Sequence, residues 1–143
     1  MTKQKISDLV RTHKALAHPG RLRILAMLRG GPLCVCQMTA VLRLAPSTVS
    51  AHLSELRRAD LVTERKEGKW VEYRLAGEAG AAAAAGVAWE RLERDPTIVQ
   101  DRALLRELRK VPLEELCRVD LDVSRLGIQL PAHAAGDRRR ALR

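Results

Sequence analysis

A chain of 143 residues has room for one domain with a small core. Aromatic residues make up 2% and Phe is absent, so the core must come from Leu, Val, Ile and Ala, which favours helices over a β-sandwich. A formal net charge of +9 suits a surface that meets a polyanion, or else a solubility-favouring surface with the basic tail Asp137 to Arg143.

Residues Gln4 to Leu16 place Ile6, Leu9, Val10, His13 and Leu16 at helical spacing, which predicts a first amphipathic helix. Met1 to Leu9 is polar, and no apolar run approaches the roughly 18 residues of a membrane span, so a cytoplasmic protein with no membrane contact is expected. His18-Pro19-Gly20 breaks the first helix, with His18 expected to cap or pack in the turn, and Arg21 to Arg29 resumes until Gly30-Gly31. Pro32 suits the first position of a third helix running through Leu33 to Leu42. After the turn Arg43-Leu44-Ala45, Pro46-Ser47-Thr48 reads as another helix start, with Val49, Leu53 and Leu56 on one face and small polar residues elsewhere.

Two helices joined by a few residues, the second with short donors near its start, fit a helix-turn-helix whose second member enters a major groove. Leu61 to Arg65 and Trp70 to Leu75 have β character around a turn at Lys66-Glu67-Gly68-Lys69. The expected fold is therefore mainly α with a small β-hairpin, a winged helix-turn-helix. Further on, the Ala-rich stretch in Glu78 to Glu93 reads as a close-packing helix or as a low-complexity linker. Val99 to Lys110 is predicted as a short amphipathic helix, Leu113 to Cys117 as one helical turn, and the residues from Gly127 onward as a tail without order. The division expected is 1–95 for the winged-helix, DNA-binding domain, 96–126 for a C-terminal helical extension and 127–143 for the basic tail.

Three cysteines, an odd number in a chain expected in a reducing compartment, are better read as free thiols or ligands than as a disulfide framework. Cys34 and Cys36 stand one residue apart, which on a regular helix turns their side chains roughly 200° from each other, so joint chelation needs a distorted first turn. A helix start also favours thiolate over thiol. Taken alone, the pair also fits two small buried apolar residues.

Ala17-His18-Pro19-Gly20-Arg21-Leu22-Arg23-Ile24-Leu25, Leu33-Cys34-Val35-Cys36-Gln37-Met38, Ser47 to Leu56 and Val71-Glu72-Tyr73-Arg74-Leu75 occur in one order. Together they resemble the ArsR/SmtB family of metal-sensing repressors, over roughly Lys14 to Leu92. The resemblance implies a homodimer that uses its terminal helices, which favours a dimer helix in Glu78 to Glu93 and adds dimerisation to the role of residues 1–95, and double-stranded operator DNA as partner. It is specifically to the Cys-Val-Cys branch, whose members sense arsenite or antimonite or, with extra cysteines near the N-terminus, cadmium and lead. Arsenite sensors of that branch often carry another Cys three residues after the second, where this sequence has Thr39. No Cys precedes Cys34. The expected inducer is therefore arsenite, or antimonite, on Cys34 and Cys36, with Cys117 as third sulfur, in its own chain or across the dimer, or as an idle thiol, and with no organic cofactor. The zinc, nickel or cobalt site that other members build from His and acidic residues of the last helices has no His in Glu78 to Glu93.

On the recognition helix, Ser47, Thr48, Ser50 and His52 are the candidates for base-edge or near-phosphate contacts, with Ser47 equally suited to capping. Arg57 and Arg58 would reach backbone or solvent, and Arg65, Lys66 and Lys69, with Arg43 as a further candidate, would follow phosphates. The function expected is repression of an arsenic-resistance operon, relieved when the ion binds. Alternatives are a thiol redox-sensing regulator and a sensor of another soft ion such as cadmium or lead. A thiol oxidoreductase would want Cys-x-x-Cys in an α/β setting, so no enzyme is expected.

Overall fold

The computed structural model describes residues 5–77 and 89–129. Its centre is a helix that is apolar on nearly every side. Helix α2, Pro19–Leu28, buries the five consecutive residues from Ile24 to Leu28, a pattern that requires neighbours all round. Those neighbours are α1 (Ile6–Leu16), α3 (Val35–Leu42), α4 (Pro46–Arg58) and α6 (Pro96–Leu108). Pro19 occupies the first turn of α2, where no N–H is needed, and Nδ1 of His18 accepts from the Gly20 N–H at 3.0 Å, so His18 caps the helix.

Helix α1 forms where its spacing predicts, but its apolar stripe points away from the core. Ile6 is 83% exposed, Leu9 47% and Val10 46%, while the residues it buries are Thr12 and Ala15. Periodicity marks an apolar face without saying what covers it.

The third helix begins later than the sequence suggests. Leu33 and Cys34 form strand β1, and α3 starts at Val35. Strand β1 pairs antiparallel with β3 (Trp70–Leu75), placing Leu33 opposite Tyr73 and Cys34 opposite Glu72. Strand β2 (Val62–Glu67) pairs with the other edge of β3, giving the order β1-β3-β2. The correction has a plain cause: the backbone of Leu33 and Cys34 is claimed by a strand nearly forty residues away in sequence, which local spacing does not register. Between β2 and β3, Gly68 turns the chain at φ +59°, as the charged hairpin needs. Helix α3 ends on Arg43 in the left-handed region, φ 54° and ψ 35°, and Leu44-Ala45 lead directly into α4.

Helix α5 (Trp89–Arg94), α6 and α7 (Leu113–Arg118) follow, with a 3-10 turn at Val123–Arg125. Asp95 caps α6, its Oδ1 accepting from the N–H groups of Thr97 at 2.8 Å and Ile98 at 3.4 Å. Leu104, Leu105 and Leu108 of α6, Leu116 of α7 and Val123 share one apolar cluster with Ile24, Leu25, Met38, Val49 and Leu53. Nε and Nη2 of Arg23 donate to the buried Asp101 carboxylate at 2.8 Å each, clamping α2 to α6. The segment expected as an extension thus helps to build the core. Of the predicted dimer helix, residues 78–88 lie outside the described residues, as do residues 130–143 of the predicted tail.

Candidate thiol site and nucleic-acid interface

Cys34 sits where strand turns into helix. Its backbone is extended, φ −80° and ψ 154°, it caps α3, and its N–H donates to Oε1 of Gln37 at 2.9 Å. Cys36 is the second residue of α3 and half-buried, whereas Cys34 is 8% exposed. Because only one of the pair is helical, the half-turn separation of a regular helix does not apply to them. Cys117 lies exposed on α7, which packs against α3, and its thiol stands near enough to act electrostatically on both Cys34 and Cys36. Among the described residues no group of three or more His, Cys, Asp or Glu is already arranged to hold a metal ion. The helix that bears Cys117 packs beside the pair without a finished cage.

The expectation of thiolates at the helix start is overturned. Burial pushes the Cys34 thiol up, and Glu72, its cross-strand partner, and Cys117 add to the rise. Burial likewise pushes Cys36 up to about 11, with Cys117 and Cys34 adding and the amides of Gln37 and Cys36 only partly opposing. Desolvation outweighs the helix terminus, so both are neutral thiols at pH 7.

On α4, Ser47, Thr48 and Ser50 are exposed together, clear of the buried row of Val49, Leu53 and Leu56. Ser47 does not cap, because Ala45 is the capping residue and Pro46 the first helical one. His52 is the second correction. It is 8% exposed, its ring centroid lies 4.3 Å from that of His18, and Nη1 of Arg21 donates to its Nδ1 at 3.5 Å. Burial first, then His18 and Arg21, hold its pKa below the ordinary imidazole value, so it packs as a neutral ring between α4 and the start of α2. It positions the helix and does not present itself outward. Arg21 went unnoticed as a site residue, yet Nε donates to Ala15 O at 2.6 Å and Nη2 to Lys14 O at 3.1 Å, joining α1 to this junction. No local pattern reports such a contact.

The basic candidates differ in their freedom. Arg57 pairs with Glu64, which also accepts from the Tyr73 hydroxyl at 2.8 Å, so Arg57 holds α4 to the hairpin. Arg58 pairs with Glu55 at 2.9 Å and Arg65 with Glu67 at 2.8 Å, both at the surface. Lys69 lies over the Trp70 ring at 5.1 Å and within 3.8 Å of Glu114 on α7. Lys66 is exposed on β2. Through β1–β3 pairing and α3–α4 packing, the thiols border both the hairpin and the outward-facing helix.

The family model for bacterial regulatory proteins of the arsR family matches residues 18–64. The arsenical resistance operon repressor of Escherichia coli K12 is 38% identical over 101 residues, covering 68% of this chain and 86% of that one. The arsenic resistance transcriptional regulator ArsR1 of Pseudomonas putida is 44% identical over 63 residues, covering 43% of this chain and only about half, 49%, of that one. The solution structure of a homodimeric winged helix-turn-helix DNA-binding domain from Mycobacterium bovis, described as a possible ArsR-family regulator, matches at a TM-score of 0.56 and 33% identity, covering 66% of this chain and 93% of that one. The winged fold and the long alignment to the E. coli repressor place this chain in the ArsR family of bacterial regulatory proteins.

Proposed function

We propose that the protein is a homodimeric repressor of an arsenic-resistance operon, acting in the cytoplasm, which leaves its operator when trivalent arsenic or antimony bonds Cys34, Cys36 and the same chain's Cys117. The observation that carries this reading is the packing of α7, which bears Cys117, against α3, whose first turn holds the pair at the β1–α3 junction. Arsenous acid is neutral and three-coordinate. Each exchange breaks an As–O bond, forms an As–S bond and releases the thiol proton with the hydroxide as water, so no thiolate is needed in advance. Cadmium and lead arrive as cations that must displace protons, which raised thiol pKa values oppose. A redox switch also depends on thiolate, and the same burial disfavours it.

Drawing three sulfurs onto one atom pulls on Cys34, whose strand pairs with β3 of the wing, and on Cys36, whose helix supports α4. Ser47, Thr48 and Ser50 would meet base edges or nearby phosphates, while Lys66, Arg65, Lys69 and Arg58 follow the backbone. Dimerisation is supported by the exposed apolar stripe of α1 and by the homodimeric M. bovis relative. A coupling of about 1–3 kcal/mol would weaken operator binding roughly 5- to 150-fold. The test is fluorescence anisotropy on the DNA upstream of the protein's own gene, titrated with arsenite. Wild type should dissociate, Cys34→Ser and Cys36→Ser should stay bound, and Cys117→Ser should need more arsenite. Stoichiometric arsenite binding with unchanged operator affinity would refute the mechanism.

A further inference from the structure

The end of α2, α5 and α6 border an open cleft of about 480 Å³ that no cysteine lines. Among the described residues, four guanidinium groups, from Arg29, Arg102, Arg106 and Arg109, line it against the one carboxylate of Glu93. No residue of α4 or the hairpin takes part. Like charges gathered in a concavity repel one another, and a bound anion relieves that repulsion.

Three of the four are held in place. Glu93 pairs with Arg29 and, at 3.3 Å, with Arg102, and the Arg29 guanidinium also lies 4.8 Å from the centroid of the Trp89 ring. Arg109 donates Nη1 to Pro32 O and Nη2 to Gly31 O, both at 3.3 Å. Arg106 is exposed and has no hydrogen-bond or ion-pair partner among the described residues. Planar guanidinium forks match the oxygens of a phosphoryl group, and prior fixation reduces the entropy lost on binding. The volume falls in the range of small-molecule sites, about 300–1,000 Å³, and leaves room beyond one phosphoryl group.

We propose that this cleft is a site for a small phosphate-bearing anion with at least two negative charges. No thiol lines the cleft, and the proposal stands whether or not the thiols bind arsenite. Calorimetric titration of the full chain at fixed ionic strength, with orthophosphate and with inorganic pyrophosphate, tests it. Pyrophosphate should bind saturably at one site per chain and more tightly than orthophosphate. Arg106→Ala should weaken it about tenfold, the loss of one charged hydrogen bond. Arg11→Ala removes the same charge from α1, where Arg11 lies 3.6 Å from Asp8, and should leave the affinity unchanged. Equal losses in the two variants would mean diffuse attraction to a basic protein and overturn the site. So would an Arg106→Ala protein that binds pyrophosphate as wild type does but binds operator DNA less well, which would give the cleft to DNA. Matching thermal unfolding curves for both variants and wild type without anion ensure that a loss is read as binding.

Discussion

Helices α1 and α6 carry the same kind of apolar spacing and meet opposite fates. On α6, Ile98, Leu104, Leu105 and Leu108 are buried against the rest of the chain, while on α1 Ile6, Leu9 and Val10 face outward. The difference teaches that a stripe specifies a contact without naming the partner. For α6 the partner is α2 and α3 of the same protomer. For α1, in our reading, it is a second copy.

That contrast predicts a graded set of responses. Leu108→Ala opens a hole in the centre of the core and should cost about 2–5 kcal/mol in urea unfolding. A cost below about 1 kcal/mol would mean that α6 merely leans on the domain. Arg23→Ala strips the buried Asp101 carboxylate of its clamp; allowing for the partial exposure of Arg23, a loss of about 2–3 kcal/mol is expected in the same measurement. The double change Ile6→Ser with Leu9→Ser should act the other way round, leaving monomer stability within about 0.5 kcal/mol while weakening self-association at least tenfold in sedimentation equilibrium. An unchanged dimer would remove α1 from the interface.

Helix α4 carries the inward and outward behaviours on one element, and pH separates them. The folded-state pKa of His52 is depressed, so between that value and its unfolded value near 6.5 the unfolded chain holds the extra proton. Stability should therefore be unaffected by this group above pH 7 and fall as pH drops below about 6.5. Comparing urea midpoints of wild type and His52→Gln at pH 7.5 and 5.5 checks the sign, because the variant should lose less on acidification. An equal loss in both would mean that His52 titrates as freely as a surface residue.

Much of this was legible in the residues. The helix-turn-helix, the hairpin and the His18 cap rest on interactions within a few residues, such as Pro19 after His18 or Gly68 between two strands, and the chain declares these locally. The adjacency of Cys34 and Cys36 is likewise written in the sequence. The third strand was not legible, because Leu33 and Cys34 acquire their conformation from Glu72 and Tyr73. Nor was the orientation of His52, which alternation on α4 permits on either side until His18 and Arg21 approach it.

By itself, then, the sequence determined the class of fold, the order of the helices and the residues with thiol chemistry, since propensity, turn geometry and spacing act at short range. Tertiary structure alone decided the rest: that α1 turns its stripe outward, that the helix bearing Cys117 packs on the helix bearing Cys36, that burial pushes the paired thiols up, and that four arginines spread over some eighty residues converge on one cleft. Each of those depends on which distant groups share a neighbourhood, and only folding brings them together.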